Sequence, residues 1–253
     1  MVDTTTGEFT RDAIADGAIE LLQREDGYRF GLDAVLLATD LPALGPEPSI
    51  ADLGAAHGPV ALCIASRRSD AEVLALERQP PLVDLLEHNV AINDLADRVR
   101  TVRGDVRNHE EQLPPHEFDL VVSNPPYYPE GDRRPSPNRE RAAARHELEG
   151  TLTDFVRAAA YTLDQRGYLK TIVPPLRLGD LVRAAEPTDL SFDSLRFFHS
   201  RPDEDAYLVE ALLRRGGAAD ARIRPPLIVY DGDQYADEVR SRIDGAARTG
   251  DGA

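Results

Sequence analysis

The chain has 253 residues and a formal net charge of −16, with 29 Lys and Arg against 45 Asp and Glu. An acidic excess of that size argues against indiscriminate nucleic-acid binding, although a local basic patch can still dominate at short range. No run of about 18 apolar residues occurs, which excludes a hydrophobic membrane helix, and the opening stretch "MVDTTTGEFTRDAIADG" carries no apolar signal core.

A length of 253 residues is enough for one large domain or two small ones, and a hydrophobic content of 42% supports a globular core. The single cysteine, Cys63, cannot form an internal disulfide, and no Cys/His spacing reads as a metal site. A reducing, cytoplasmic setting without a metal is therefore expected, with Cys63 in the core. Lysine occurs once, at Lys170, so nearly all positive charge is arginine.

In chain order, residues 11–45 read as mostly helical, with a turn at "DGYRFGLD", so residues 1–45 are expected to form an N-terminal helical or capping segment. A core of residues 46–216 follows, and 217–253 complete the chain with an edge strand, a short helix and a frayed tail. "SIADLG" (49–54) predicts a strand ending in glycine, and "PVALCIASRR" (59–68) a helix with Pro59 in its first turn. "AEVLALE" (71–77) predicts a strand, "PPLVDLLEHNVAIND" (80–94) a helix, and "RVRTVRGD" (98–105) and "FDLVVSN" (118–124) two further strands. "LTDFVRAAAYTL" (152–163) predicts a helix, "GYLKTIVP" (167–174) a strand and "LRLGDLVRAAE" (176–186) a helix. "SLRFFHS" (194–200) and "AYLVEALLRR" (206–215) are strands with no helix between them, and "IRPPLIVY" (223–230) offers an extra edge strand. Such alternation predicts an α/β fold, a mostly parallel sheet with helices on both faces and an antiparallel strand at one end.

In an open parallel sheet, ligands bind beyond the carboxyl ends of the strands. The first core strand ends in "ADLGAAHG", with Asp52, Gly54 and Gly58; the second ends in Glu77, the third in Asp105 and the fourth in Asn124. Gly54 and Gly58 permit tight curvature and close ligand approach. Glu77 can accept from both ribose hydroxyls, and Asp105 from an adenine amino group. No P-loop lysine is present, and three acids would repel a pyrophosphate. An adenosine-bearing ligand without phosphates fits, S-adenosylmethionine being one.

The stretch "VVSNPPYYPEG" (121–131) ends a buried-looking strand in an amide, two prolines and two tyrosines. Asn124 offers a carboxamide oxygen, and Pro125 a carbonyl without an N–H. Two acceptors can hold both hydrogens of a planar amino group and turn its lone pair toward a sulfonium methyl. Pro126 stiffens the turn, and Tyr127 can stack on a flat substrate. Downstream, Arg133, Arg134, Arg139, Arg141 and Arg145 outnumber Asp132, Glu140 and Glu147 within "GDRRPSPNRERAAARHE". That net positive island beside the loop suits an RNA backbone.

"DLGAAHG", "LERQ", "NVAIND", "GDV" and "SNPPYYPEG" resemble the class I S-adenosylmethionine-dependent amino-methyltransferases. The flanks "REDGYRFGLDAVLLA" (24–38), "SPNRERAAARHELEGTLTDFVRAAA" (136–160) and "PPLIVYDGDQY" (225–235) are similar to the bacterial valine-tRNA adenine N6-methyltransferases. The resemblance implies a Rossmann-like, seven-stranded class I methyltransferase fold, S-adenosylmethionine as donor, and the tRNA adenine next to the anticodon as acceptor. It implies Asp52, Gly54, Ala56, Gly58, Glu77, Asp105 and Val106 at the donor, and Asn124, Pro125, Pro126 and Tyr127 at the acceptor. Phe30, Gly31 and Asp33 would close over the donor's methionine end. One departure stands out, since Ala56 and His57 occupy the loop where the family carries its middle glycine. Two alternatives keep part of this reading: a release-factor-type glutamine N5-methyltransferase, and a non-catalytic S-adenosylmethionine- or RNA-binding module.

Overall fold

The computed structural model describes residues 9–14, 17–25, 29–126, 150–218 and 220–244. Its centre is β3 (Ser49–Leu53), flanked in parallel by β4 (Glu72–Glu77) and β6 (Phe118–Ser123). These strands are apolar on both faces because helices cover the sheet on both sides. Outward from β4 lies β5 (Val99–Arg103), also parallel. On the other side β7 (Leu163–Val173) pairs parallel with β6, β9 (Ala206–Arg215) antiparallel with β7, and β8 (Leu190–His199) antiparallel with β9. The expected seven long strands, with β9 reversed, are present. Two short strands, β10 (Arg222–Ile223) and β11 (Leu227–Ile228), extend the β8 edge, as "IRPPLIVY" suggested. A small hairpin, β12 (Tyr230–Asp231) with β13 (Gln234–Tyr235), follows. Neighbours of β3 lie on opposite sides in opposite sequence directions, so the sheet reverses its winding there. That reversal opens a crevice at the carboxyl ends of β3 and β6.

The helices α2 (Pro59–Arg67), α3 (Pro80–Ile92), α5 (Leu152–Thr162), α6 (Leu178–Ala185) and α7 (Asp237–Ile243) fall close to their expected places, and a short α4 (His109–Gln112) that the sequence did not announce lies between β5 and β6. Thr151 and Asp154 form a capping box that starts α5, each side chain accepting from the other residue's backbone N–H. Cys63 is fully buried on α2, and burial raises its thiol pKa. Among the described residues no helix is long and apolar enough to cross a membrane.

The N-terminal expectation is corrected. In place of a mostly helical segment, β1 (Phe9–Ile14) and β2 (Ile19–Arg24) form an antiparallel hairpin, and only α1 (Leu32–Leu37) is helical. The Asp-Gly pair at 16–17 is a hairpin signal in the sequence, and Gly17 takes a positive φ of 80°. The hairpin is held by Asn89 of α3 and by Asn93, which caps its C-terminal end. Asn89 accepts from Leu22 N (2.8 Å) and donates to Leu22 O (3.0 Å); Asn93 accepts from Glu20 N (2.9 Å) and donates to Glu20 O (2.7 Å). Four residues of helix rise about 6 Å, and two residues of strand about 6.6 Å. Asparagines four apart on a helix therefore meet alternate residues of a strand, and each stands in for a neighbouring strand. Ile14, Ile19 and Leu21 of the hairpin, Leu36 of α1 and Val239 of α7 all join the same core cluster as Ile50 of β3.

Candidate active site

A cavity opens at the carboxyl ends of β3, β4 and β6. Of the residues singled out by sequence, Asp52, Gly54, Ala56, Glu77, Val106, Asn124 and Pro126 line it. Ala34, Arg78, Gln79, Leu82 and Phe155 line it too, and sequence reasoning missed them because none carries a distinctive chemical signature.

The loop after β3 is shaped by backbone bonds to β4. Gly54 N and Ala55 N both donate to Leu76 O at 2.9 Å, and Ala56 N donates to Glu77 Oε2 at 3.0 Å. Glu77 Oε1 accepts from Gln79 N at 2.7 Å, so one carboxylate joins the loop to the start of α3. Gly54 has φ +78°, and a Cβ there would meet the Phe155 ring at 3.0 Å. Gly58 has φ +100° but does not line the cavity; a Cβ there would sit 2.4 Å from Leu62 Cδ1 and 2.6 Å from Leu86 Cδ1. The positive φ is what favours glycine at this N-cap of α2.

Ala56 adopts φ +51°, the left-handed region that suits glycine. The departure from a glycine-rich loop is thus carried as local strain, which costs about 1–2 kcal/mol for an L-residue. Ala56→Gly is expected to leave stability unchanged or raise it by up to ~1 kcal/mol, relief of strain offsetting the greater freedom of the unfolded chain. Donor affinity should hold or improve. Thermal denaturation and calorimetric titration with the donor check both; a sharp loss of affinity would show that the methyl group packs against the ligand. His57 is fully buried, its carbonyl accepts from Asn89 Nδ2 at 2.9 Å, and burial lowers its pKa to about 4. The imidazole is therefore neutral and internal.

Asp52 is 1% exposed and accepts from Ala61 N, in the first turn of α2, at 3.1 Å. Burial, with the nearby negative charge of Glu77, pushes its pKa up to about 7 against the Ala61 bond. An unfolded aspartate titrates near about 4. Below that pH both states hold the proton; between about 4 and 7 only the folded chain does. Stability should therefore fall as pH rises through this window and level off above it. Asp52→Asn keeps an acceptor for Ala61 N and removes the charge. It is expected to be the more stable protein at pH 8, by roughly 3 kcal/mol, with the gap closing toward pH 4. Urea unfolding at four pH values tests this, and a gap independent of pH would refute it.

Asp105 does not line the cavity; its neighbours Gly104 and Val106 do. The Asp105 carboxylate accepts from Arg107 N at 3.0 Å and from the Arg107 guanidinium, and it pairs with Arg78 at 2.9 Å. Burial alone would raise its pKa, but these arginines bring it below the usual carboxylate range. The carboxylate expected to meet an adenine amino group is thus engaged by Arg107 and Arg78.

Asn124 follows β6, where Ser123 Oγ donates to Leu53 O at 3.0 Å and holds the ends of β6 and β3 together. Its Nδ2 donates to Asp33 Oδ2 at 3.0 Å. Asp33 lines a second groove beside Leu176 and Tyr207, at the ends of β7 and β9. Burial, and then the charge of Asp33, raise the Tyr207 pKa to about 12, so this aromatic side chain stays a neutral phenol. Pro125 is buried. Phe30 packs against the main core cluster with its ring centroid 6.3 Å from that of His57. Tyr127 and the arginines at 133, 134, 139, 141 and 145 lie outside the described residues.

The methyltransferase small domain family model matches residues 31–175, more than half of the chain. The chain belongs to that family. This methyltransferase is 34% identical over 158 residues to the tRNA1(Val) (adenine(37)-N6)-methyltransferase of Porphyromonas gingivalis, a match covering 60% of this chain and 61% of that relative. The chain thus spans about three fifths of the length of the curated relatives it matches. Among solved structures, a predicted O-methyltransferase from Agrobacterium tumefaciens superposes with a TM-score of 0.69 at 26% identity, over 84% of this chain and 96% of that one. M. jannaschii TYW2, in complex with AdoMet, gives a TM-score of 0.56 at 14% identity over 85% of this chain and 89% of that one, a likeness of fold alone. The methyltransferase therefore has the class I fold that the sequence resemblance implies, built on the mostly parallel sheet expected from its alternating strands and helices.

Proposed function

We propose that this methyltransferase moves a methyl group from S-adenosylmethionine to the exocyclic N6 amino group of an adenine in tRNA. The acceptor would be the anticodon-loop adenine beside the anticodon, in line with the name carried by its relatives. The observation that carries the reading is the placement of Asn124, which lines the cavity at the winding reversal while its amide nitrogen faces Asp33 in the adjoining groove.

The cavity fits the donor. Its acids, Asp52 and Glu77, suit a ligand with ribose hydroxyls and positive charge. A carboxylate has about four acceptor sites, so Glu77 can receive ribose hydroxyls while keeping its bonds to Ala56 and Gln79. Gly54 lets the backbone approach closely, and Val106 and Leu82 give apolar surface to a flat ring. When bound, S-adenosylmethionine supplies an electrophilic methyl: its S–C bond breaks as the N6–C bond forms, the electron pair returning to sulfur.

Asn124 and the Pro125 carbonyl hold the two amino hydrogens, one acceptor each. An adenine amino group is a poor nucleophile while its lone pair is delocalised into the ring. Drawing both hydrogens to one side favours the pyramidal nitrogen, and fixed acceptors perform this without reorganising during the reaction. The nitrogen then releases one proton to solvent. Tyr127 is proposed as the stacking partner of the base, and Arg133, Arg134, Arg139, Arg141 and Arg145 as the contacts to tRNA phosphates. An anticodon-loop base is already partly unstacked, so extruding it costs only a few kcal/mol or less.

The test supplies methyl-labelled S-adenosylmethionine with transcribed tRNA, with release factor, and with no acceptor. N6-methyladenosine in the digested tRNA is the expected product. Label in the release factor alone would establish glutamine N5-methylation instead. Donor binding by calorimetry without transfer to either would establish a non-catalytic binding module.

A further inference from the structure

We propose that Asp33 is a positioning residue that sets which way the Asn124 carboxamide faces, and so decides whether position 124 presents an acceptor to the amino group. This rests on the adenine-methylation reading. A carboxamide is nearly symmetric in shape, with an acceptor oxygen on one corner and a donor nitrogen on the other. In the flipped state Asn124 would point N–H bonds at the N–H bonds of its substrate.

A carboxylate accepts only, so it recognises the nitrogen corner. Asp33 Oδ2 lies 3.0 Å from Asn124 Nδ2. The oxygen corner is thereby the one turned away from Asp33. A bond to a charged acceptor is roughly twice as strong as a neutral one, which suffices to bias two orientations of otherwise similar energy.

The chain around Asp33 is built to hold that carboxylate. Gly31 precedes α1, and a Cβ on Gly31 would lie 2.5 Å from Asp33 Oδ1. Any side chain there would push the carboxylate off its place. Ala34, one residue on, lines the donor cavity, while Asp33 lines the neighbouring groove. The "FGLDA" segment thus contributes to both cavities, and the Asp33–Asn124 bond spans the boundary between them. The far end of α1 is anchored in the sheet: Lys170 Nζ donates to Leu37 O at 3.0 Å.

The experiment is a double-mutant cycle read in two ways. Turnover on transcribed tRNA and the donor KM are measured for wild type, Asp33→Ala, Asp33→Asn, Asn124→Asp and the exchange Asp33→Asn with Asn124→Asp. Asp33→Ala should lose roughly 10- to 100-fold in kcat, the worth of one bond to a charged group, with donor KM little changed. Asp33→Asn can still offer an oxygen to Asn124 and should fall between. Asn124→Asp sets two carboxylates about 3 Å apart and should be poorly active. The exchange restores a donor facing a carboxylate and should recover at least tenfold over Asn124→Asp alone. Gly31→Ala should resemble Asp33→Ala in kcat, because it displaces the carboxylate without removing it.

The second readout needs no substrate. The Asn124 side-chain ¹⁵N–¹H₂ resonances of the folded protein, assigned by their loss in Asn124→Asp, should shift clearly in Asp33→Ala. Unshifted amide resonances, or an exchange variant no better than the product of the single losses, would overturn the inference. A wild-type protein that methylates no tRNA would overturn the functional reading instead, and the amide resonances would then decide the pairing by themselves.

Discussion

Asn124→Ala is expected to cut methyl transfer to tRNA by about 10²–10³-fold, the scale seen when one preorganised group is removed from a charge-developing centre, while donor affinity stays within about threefold. The asymmetry follows from the geometry. Asn124 lines the cavity from the end of β6, whereas the groups proposed to meet the donor lie on β3, β4 and the loop between β3 and α2. Alanine removes one of the two acceptors and leaves Asp33 without its amide partner, but it leaves the glycine loop and Glu77 untouched. Single-turnover kinetics with excess enzyme separate the chemical step from binding, and calorimetry gives the donor affinity directly. A collapse of donor affinity, with the chemical step little changed once the donor is bound, would mean that Asn124 belongs to the donor site and would remove the basis for the proposed amino-group cage.

Lys170→Met is expected to destabilise the fold by about 3–5 kcal/mol, the cost of leaving one member of a buried ion pair alone. Lys170 is 1% exposed and Glu210 is 3% exposed, and their charged atoms lie 3.0 Å apart. Lys170 also donates to the carbonyls of Leu37 and Thr39, just where α1 ends. Burial lowers the lysine's pKa, and the nearby Glu210 carboxylate opposes that shift. Methionine fills the same volume, so the loss isolates the charge and the two carbonyl bonds. Arg224, 3.9 Å from Glu210, compensates only in part. At about 2–4 °C per kcal/mol for a chain of this size, the melting temperature should drop by roughly 10 °C. Replacing both partners, Lys170→Met with Glu210→Leu, should recover a good part of it, because no unpaired charge then remains. A double variant no better than the single one would show that the carbonyl bonds to α1, and not the ion pair, dominate.

These two positions also show where sequence reasoning reached and where it stopped. Asn124 was legible because an amide followed by two prolines interrupts a buried strand, a departure from what strands tolerate. Its environment was not legible, because its partner Asp33 is 91 residues away. Lys170 was visible as the only lysine, yet nothing near it in sequence announces Glu210, since β7 and β9 become neighbours only after β8 has been laid down beyond them. The N-terminal hairpin was misread for a related reason. Its strands "FTRDAI" and "IELLQR" are short, and the free edge of β2 is met by the side chains of Asn89 in α3 and of Asn93 at its C-cap in place of another strand. The neighbours of Gly58 and Asp105 were likewise not legible: Leu62 and Leu86 lie beside the first, and Arg78 and Arg107 beside the second.

By itself the sequence determined the succession of the seven long strands from β3 to β9 and the main helices between them, the reversal at the last long strands and the crevice at the carboxyl ends, because hydrophobic period and glycine or proline punctuation are local properties of the chain. Only the tertiary structure decided the direction of the Asn124 amide, the burial of His57, the pairing of Lys170 and the splitting of the crevice into two cavities. Those depend on distances between segments far apart in the chain, and a single polar side chain bonded across such a separation leaves no periodic trace in its neighbours.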